Sequence, residues 1–90
     1  MSITFDSAKR LATLENRGLD MADAGDVFAG VTMTVEDDRH DYGEVRFITI
    51  GTLRGRMVVL VWTRRGQDRR IISMRKANGR EKKLYGPRLA

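Results

Sequence analysis

The segment from residue 69 to residue 85 combines cationic, acidic and phenolic side chains that suit phosphate chemistry. It contains seven Arg or Lys residues together with Glu81 and Tyr85. Arginine can bind phosphate oxygens two at a time through its planar guanidinium group. Cleavage of RNA without a metal needs a base for the ribose 2′-hydroxyl, cations around the phosphoryl oxygens and an acid for the leaving oxygen. These residue types therefore match the requirements of RNA cleavage.

Side-chain periodicity predicts which of these groups lie together. In an expected strand over residues 69–75, alternate side chains point to opposite faces. We expect Ile72 and Met74 to face the core, which leaves Arg75 on an open face. In the helix that follows, Glu81 and Tyr85 share one side at a spacing of four residues. Arg75, Glu81 and Tyr85 are therefore expected to be neighbours.

A second pair of candidate residues lies at the start of an earlier expected strand. There, Glu44 and Arg46 are two residues apart, so the same alternation puts them on one face. The main geometric expectation is that Arg46, Arg75 and Tyr85 meet in one exposed hollow of nucleotide size.

The charge is distributed unevenly along the 90 residues. Residues 1–53 carry five Lys or Arg against ten Asp or Glu, whereas residues 54–90 carry twelve against two. A net charge of +5 thus conceals a strongly basic C-terminal part. A basic pole attracts phosphate-rich partners, and such binding weakens with salt. The alternative is a solvated basic face that only keeps the protein in solution.

Each candidate residue also has an ordinary structural interpretation. Glu81 can pair with Arg75 or Arg80 and hold the last helix in place. Tyr85 can pack against a helix end, and Lys9 can be an exposed lysine on a helix surface. These interpretations stay open beside the chemical ones.

Two further features allow more than one interpretation. Trp62 can stack on a nucleobase, but its position in a strand of apolar residues favours the core. The acidic segment 36–41 offers oxygen ligands of the kind that magnesium prefers, but it lacks a motif spacing and is better interpreted as a loop. His40, in that loop, is a distant acid–base candidate. With no cysteine and one histidine, we expect neither a zinc site nor a cofactor.

The helices that position these residues follow from capping signals and breakers. Asp6 is an expected N-cap for a helix over residues 7–16, and Gly18 ends it. A second helix begins after Asp20 and ends at Gly30. The expected apolar side of the first helix consists of Ala8, Leu11, Ala12 and Leu14.

Four strands and a closing helix complete the expected fold. β-Branched and alternating residues indicate strands at 31–35, 44–50, 56–63 and 69–75. Short Gly-containing connections favour antiparallel hairpins. A short helix over 77–85 ends at Gly86 and Pro87. The expected fold class is α+β: two N-terminal helices, a four-stranded antiparallel sheet with helices on one face, and a short C-terminal helix, all in one domain over residues 1–90.

Several functional classes are disfavoured by the sequence. The longest apolar run, residues 57–62, is far below the roughly 20 residues of a membrane span. The N-terminus lacks the apolar region of a signal peptide, so we expect a cytoplasmic protein. The sequence contains no Gly-rich nucleotide loop and no set of residues for a Ser-His-Asp triad. Because the first two helices lie in the acidic half, helix-turn-helix DNA binding is not supported.

Longer segments of the sequence resemble the BrnT toxins. The similarity runs from Ile3 to Tyr85, and its most specific part is the C-terminal pattern R-I-I-S-x-R-x-A followed by Glu81 and Tyr85. Other matching segments are "NRGLDMADA" at 16–24 and "DYGEVRFITIG" at 41–51.

The resemblance implies the toxin of a type II toxin–antitoxin pair with a RelE-like fold. Such a toxin is a metal-independent endoribonuclease that cuts RNA by 2′-hydroxyl attack and inhibits translation. The implied partner is a BrnA-like antitoxin with a ribbon-helix-helix DNA-binding region. It neutralises the toxin, and the complex represses its own operon, so operator DNA is reached only through the antitoxin.

The resemblance also implies roles for particular residues. Arg46 and Arg75 would stabilise the transition state with help from Lys9. Glu44 or Glu81 would transfer a proton, and Tyr85 would position the substrate or protonate the leaving group. The implied catalytic set is Lys9, Glu44, Arg46, Arg75, Glu81 and Tyr85. The residues expected to bind RNA are Arg64, Arg70, Lys76 and Lys82.

The sequence departs from the family pattern after the first helix. Where the family often has Asn and His in N-x-x-K-H-G, this chain has Thr13 and Arg17. Arg17 keeps a positive charge but cannot replace histidine as a proton shuttle. One alternative function is therefore a catalytically weak or inactive module that binds the antitoxin or nucleic acid. Another is a small structural RNA-binding protein.

Overall fold

The structure is a computed structural model that describes residues 2–89. Within this range it contains five strands and three α-helices, with a 3-10 turn at Met21–Asp23 before the second helix. The strands are β1 Ile3–Phe5, β2 Met33–Asp37, β3 Arg46–Leu53, β4 Arg56–Arg65 and β5 Asp68–Lys76. The helices are α1 Ser7–Arg17, α2 Ala24–Ala29 and α3 Gly79–Leu89. The predicted α+β class is confirmed.

All five strands form one mixed sheet with the order β1-β5-β4-β3-β2. Strands β2 to β5 are antiparallel neighbours, and the pairing of β3, β4 and β5 is the one that the short connections predict. The expectation of a four-stranded antiparallel sheet is wrong by one strand, because β1 pairs with β5 in parallel, with Ile3 opposite Arg69. Three residues are too few for a period of two to be visible in the sequence.

The predicted start and end of α1 are confirmed. The Asp6 carboxylate accepts a hydrogen bond from the backbone N–H of Lys9 at 3.0 Å. Gly18 ends the helix in the left-handed conformation, with φ at 66°, which glycine adopts without a steric penalty. Asp20 likewise accepts from the N–H of Ala22 at 2.9 Å, but the helix predicted after it is divided into the 3-10 turn and α2.

The expected apolar side of α1 is largely exposed, which corrects the sequence interpretation. Leu11 and Leu14 are 57% and 44% exposed, and the buried residue of the helix is Thr13. The helix instead lies along β5, where the Arg17 Nη1 donates to the carbonyl of Met74 at 2.9 Å. Contact with the edge of a strand, rather than with a sheet face, leaves the two leucines in solvent.

The last helix is longer than predicted. Gly86 and Pro87 do not stop α3, which continues to Leu89. The last turn is held by packing, because Leu89 lies against a buried cluster formed by Ile50, Met57, Val59 and Ala77.

Helices cover both faces of the sheet, so the expectation of one fully open face is also wrong. On the α2 face, Leu19, Met21, Ala24 and Val27 form the main core with sheet residues that include Leu60, Trp62, Ile71 and Met74. On the opposite α3 face, α3 covers only the end of the sheet near Ile50, Met57 and Val59. The other end of the α3 face stays open for the charged residues described below.

A β-bulge in β5 changes which side chains face the core. Val61 is opposite Ser73 and Trp62 is opposite Ile71, so Ile72 is an extra residue without a partner on β4. A bulge shifts the alternation by one residue. Met74 is therefore buried as predicted, but Ile71 joins it in the core instead of Ile72, which is half-buried.

Candidate active site

Arg75 of β5 and Glu81 of α3 form a bidentate ion pair. The Arg75 Nη1 lies 2.7 Å from Glu81 Oε1, and Nη2 lies 2.9 Å from Oε2. Such parallel bonds are stronger and more directional than a single contact. The pair fixes the plane of the Arg75 guanidinium at the edge of a groove between α3 and the sheet.

Glu81 is itself fixed by a capping box at the start of α3. Its Oε1 accepts from the backbone N–H of Asn78 at 2.9 Å, and its own N–H donates to Asn78 Oδ1 at 2.8 Å. This reciprocal arrangement stabilises helix starts. The Arg75 hydrogen bonds, supported by the Asn78 N–H, lower the pKa of Glu81 to about 2. Glu81 is therefore ionised at neutral pH.

The groove beside this pair is open to solvent and has a volume of about 400 Å³. Tyr85 and Leu84 of α3 line it together with apolar residues of the sheet, and Arg39, Arg75 and Arg80 supply its positive charge. We call this the α3 groove; its remaining lining residues are Val35, Ile48, Ile50, Asn78 and Glu81. The predicted neighbourhood of Arg75, Glu81 and Tyr85 is confirmed.

A second fixed arginine, Arg39, was missed by sequence reasoning. Its Nε and Nη2 lie 2.7 and 2.8 Å from the two carboxylate oxygens of Asp37. Tyr42 donates to the same carboxylate at 3.2 Å, and the Asp37 side chain is only 1% exposed. The Arg39 hydrogen bonds hold the pKa of Asp37 well below its ordinary value. Alternation along β2 could have shown that Asp37 shares the face of Val35.

The acidic segment 36–41 does not form the metal site that its composition allows, and Glu36 and Asp37 belong to β2 rather than to a loop. Among residues 2–89, no three acidic or histidine side chains are arranged to hold a metal ion together. His40 packs its ring edge against Tyr42, with 5.6 Å between the ring centroids. Trp62 belongs to the core, as the sequence favours: it is 3% exposed and donates to Thr49 Oγ1 at 2.8 Å.

Glu44 and Arg46 are paired as predicted. The Arg46 Nε lies 3.1 Å from Glu44 Oε2, and the guanidinium lies 4.1 Å from the ring centroid of Tyr42. Arg65 donates to the other Glu44 oxygen at 3.1 Å. Hydrogen bonds from Arg46 first, and from Arg65 next, lower the pKa of Glu44.

The structure separates Arg46 from Arg75. Arg46 does not line the α3 groove, although it is directly opposite Asp37, the residue that binds Arg39. Arg46 is opposite Thr63 of β4, and Arg75 is opposite Val59 of the same strand. Both arginines lie on the α3 face, but four residues of strand correspond to about 13 Å. The expectation of one shared hollow is thus met for Arg75 and Tyr85 and not for Arg46. Arg70 is also opposite Thr63, so Arg46 and Arg70 define a second basic area on this face.

Lys9 and Lys76 lie along the edge of β5. Lys9 lines a small hollow of about 220 Å³ with Arg17 and Ser73. An adjoining hollow contains Arg17, Arg75 and Lys76. Arg17 and Arg75 therefore connect the position of Lys9 with that of the α3 groove.

Two of the residues predicted to bind RNA lie elsewhere. Lys82 faces a separate hollow with Thr52 and Arg56. Arg64 lies on the α2 face, with its guanidinium carbon 5.7 Å from the ring centroid of Phe47. The predicted set is thus spread over both faces of the sheet.

Comparison with known proteins gives the class of the molecule. The model of a family described as "Ribonuclease toxin, BrnT, of type II toxin-antitoxin system" matches residues 5–81, which include the Arg75–Glu81 pair. The chain therefore belongs to the BrnT family of ribonuclease toxins, whose members act on RNA and have an antitoxin partner. No curated protein matched the sequence. Within residues 2–89, the helices are too short or too polar to cross a bilayer.

Proposed function

We propose that this protein is a metal-independent endoribonuclease whose cleavage centre is the α3 groove. The observation that carries the proposal is the fixed Arg75 guanidinium beside Tyr85 in an open, positively charged groove. A fixed cation stabilises developing phosphoryl charge without reorganising during the reaction. The whole chain, residues 1–90, would act as one toxin domain.

Arg75 keeps hydrogen-bond donors for a substrate while it is bound to Glu81. The pair uses one hydrogen on each Nη, and Nη1 also donates to the carbonyl of Lys76 at 3.4 Å. The Nε–H and the second hydrogen of Nη2 remain. Arg39 donates to the Asp37 carboxylate through Nε and Nη2. Neither hydrogen of its Nη1 is needed for that ion pair. The Nε and Nη2 of Arg75, together with the Nη1 of Arg39, can thus bind the oxygens of one phosphoryl group.

The reaction that fits these groups is attack of the ribose 2′-oxygen on the adjacent phosphorus. The O2′–P bond forms as the P–O5′ bond breaks, and the products are a 2′,3′-cyclic phosphate and a 5′-hydroxyl. In this proposal Arg75 and Arg39 stabilise the charge on the phosphoryl oxygens. Tyr85 donates the proton that the leaving 5′-oxygen requires, and solvent water in the open groove accepts the proton that the 2′-hydroxyl loses.

We assign Glu81 a positioning role rather than that of a general base. A carboxylate with a pKa of about 2 accepts a proton only weakly at neutral pH. Glu44, the other predicted proton acceptor, lies beside Arg46 and outside the α3 groove. We therefore propose that charge stabilisation by the arginines supplies most of the rate enhancement.

Most of the other predicted residues would bind the flanking RNA. Arg46 and Arg70 lie on the same sheet face as the groove and would contact a neighbouring phosphate. Lys9 and Lys76 would do so along the β5 edge. Lys82 lies in a separate hollow with Arg56, away from this path, and is not assigned an RNA contact. Each of these contacts is electrostatic and should weaken with added salt.

In the cell, we propose that cleavage of RNA inhibits translation in the cytoplasm. A BrnA-like antitoxin with a ribbon-helix-helix region would neutralise the toxin and, with it, repress the operon. The family match supports an antitoxin partner, and the apolar floor and cationic rim of the α3 groove would suit an acidic amphipathic segment.

Analysis of the RNA products tests the proposed chemistry. End-labelled RNA is incubated with purified protein in excess EDTA, and the new termini are identified. We expect 2′,3′-cyclic phosphate and 5′-hydroxyl ends at an undiminished rate. Cleavage that requires a divalent ion, or products with a 5′-phosphate, would contradict the mechanism.

A catalytically weak binding module is the second candidate function. It is favoured by Arg17, which stands where the family often has histidine and donates to the carbonyl of Met74 at 2.9 Å. This function predicts salt-sensitive RNA binding with no cleavage during long incubation.

A further inference from the structure

The α2 face of the sheet carries a pair of arginines that the proposed cleavage reaction does not use. Arg64 of β4 and Arg69 of β5 are directly opposite each other. The guanidinium carbon of Arg69 lies 4.0 Å from the ring centroid of Phe28 and 5.2 Å from that of Trp62. That of Arg64 lies 5.7 Å from Phe47 and 6.0 Å from Trp62. Aromatic rings therefore hold both cations on one side of the sheet.

The charges of this pair are not compensated. Within residues 2–89, neither Arg64 nor Arg69 forms an ion pair, although six other arginines do. The Nε of Arg69 is buried without a hydrogen-bond partner in the described part of the chain. Like charges directly opposite each other destabilise a sheet. The ring contacts orient the guanidinium groups but leave their outward hydrogens free to bind an anion.

The pair lies at the same end of the sheet as the second basic area of the α3 face. Arg64 follows Thr63, which is opposite both Arg46 and Arg70. Neighbouring side chains of a strand point to opposite faces, so these arginines surround one end of β4. A nucleic-acid strand that leaves Arg46 has only to pass this end of the sheet to reach Arg64.

We propose that Arg64 and Arg69 form a second RNA site, which binds the phosphodiester backbone of the single strand flanking the cleaved bond. Opposite Cβ atoms in a sheet are about 5 Å apart, so the two guanidinium groups can contact two successive phosphates of one strand. The half-buried rings of Phe28 and Phe47 beneath them offer additional apolar contact for a base. The inference rests on the proposed function, since it extends the path of the same substrate.

Binding of RNA that cannot be cleaved tests this site without requiring catalysis. Fluorescence anisotropy is measured with a labelled oligoribonucleotide that carries a 2′-O-methyl group at every position. In a plot of log affinity against log salt concentration, each lost phosphate contact reduces the slope by about 0.7 for a single strand. We expect a reduction of about 0.7 for Arg64→Gln and about 1.4 for the double variant with Arg69→Gln. Arg56→Gln is the matched control, because Arg56 is exposed at the opposite end of β4.

Trp62 provides a local reporter of the same event. It is the one tryptophan of the chain and lies within 6.0 Å of both guanidinium carbons. We expect its emission to change when the RNA is added to the wild type and to the Arg56→Gln variant, and to change less in Arg64→Gln. Arg64 is exposed, so this single variant remains informative even if loss of Arg69 unfolds the protein.

Three results separate this inference from its alternatives. If the wild type binds the RNA but does not cleave a cleavable version, the proposed function fails and the site stands. If the Arg64→Gln variant keeps the wild-type salt slope and the wild-type Trp62 response, the site is refuted. Loss of antitoxin binding with an unchanged RNA slope would also refute it, because this face would then be a protein-docking surface.

Discussion

The carboxylate of Glu81 joins two structural units through one side chain. Its two oxygens accept from Arg75 at 2.7 and 2.9 Å, and one of them also accepts from the N–H of Asn78 at 2.9 Å. The residue that caps α3 is therefore the residue that orients the arginine of the groove. The structural and the functional interpretations of Glu81 are compatible, because the same carboxylate caps α3 and orients the Arg75 guanidinium.

Glu81→Gln should reduce cleavage more than it reduces stability. Glutamine can still accept from the Asn78 N–H, so the capping box survives, but the ion pair with Arg75 is lost. We expect a loss on the order of tenfold in kcat, equivalent to about 1.4 kcal/mol of transition-state stabilisation. Single-turnover cleavage and thermal unfolding of the same sample measure both effects.

The matched control is Asn78→Ala, which removes a cap worth about 1 kcal/mol of stability and keeps the ion pair. An Asn78→Ala variant that loses as much kcat as Glu81→Gln would contradict this assignment.

Stability should fall in acid through the carboxylates held by arginine. The folded pKa is about 2 for Glu81, beside Arg75, and also for Asp20, beside Arg10, whereas ordinary carboxyl values are near 4. A lowered folded pKa gives stability that is complete above the unfolded pKa and is lost as the pH falls towards the folded one. Urea unfolding should thus show a declining free energy between about pH 5 and pH 2. Glu81→Gln should flatten this decline, and an unchanged pH profile would oppose the assignment.

Asp37→Asn should release Arg39 and lower both stability and cleavage. The Asp37 side chain is 1% exposed and accepts from Arg39, which is 64% exposed, and from Tyr42, so loss of its charge weakens the hydrogen bonds of a buried acceptor. A cost of about 2 kcal/mol is expected, measured by denaturant unfolding. Asp38→Asn is the control, because Asp38 is exposed and makes no ion pair among the described residues. Equal effects of the two substitutions would show that Asp37 has no special role.

Sequence reasoning predicted local features well where one residue type determines them. The Asp6 cap, the Gly18 terminus and the pairing of Arg75 with Glu81 all follow from short-range spacing. The sequence predictions failed where tertiary packing overrides the local pattern. The bulge at Ile72 moves Ile71 into the core, and no residue of the segment signals an extra position.

The missed groups share one physical reason. The role of Arg39 depends on Asp37 being buried beneath it, and burial depends on how β2 pairs with β3. Similarly, Arg69 was assigned no role because its contacts with Phe28 and Trp62 join residues far apart in the sequence. Composition suggested an acidic loop and a basic segment, whereas pairing across the sheet decides which charges meet.

Arg17→His tests whether the departure from the family pattern limits activity. Histidine would restore a group that can exchange protons near neutrality, at the expense of the hydrogen bond to the carbonyl of Met74, worth about 1 kcal/mol. If the α3 groove needs no histidine, cleavage should change less than tenfold while the unfolding temperature decreases. A large gain in rate from this substitution would instead favour the catalytically weak module as the natural state.

The most direct test of the account is single-turnover RNA cleavage by Arg75→Lys and Arg75→Ala, with Arg56→Ala as the control for charge. Loss of a preorganised charge-stabilising group typically costs about a hundredfold or more in rate. We predict that decrease for Arg75→Ala, a partial decrease for Arg75→Lys because lysine lacks the planar fork, and wild-type cleavage for Arg56→Ala. A folded Arg75→Ala protein that cleaves RNA at the wild-type rate would contradict the assignment of the cleavage centre to the α3 groove.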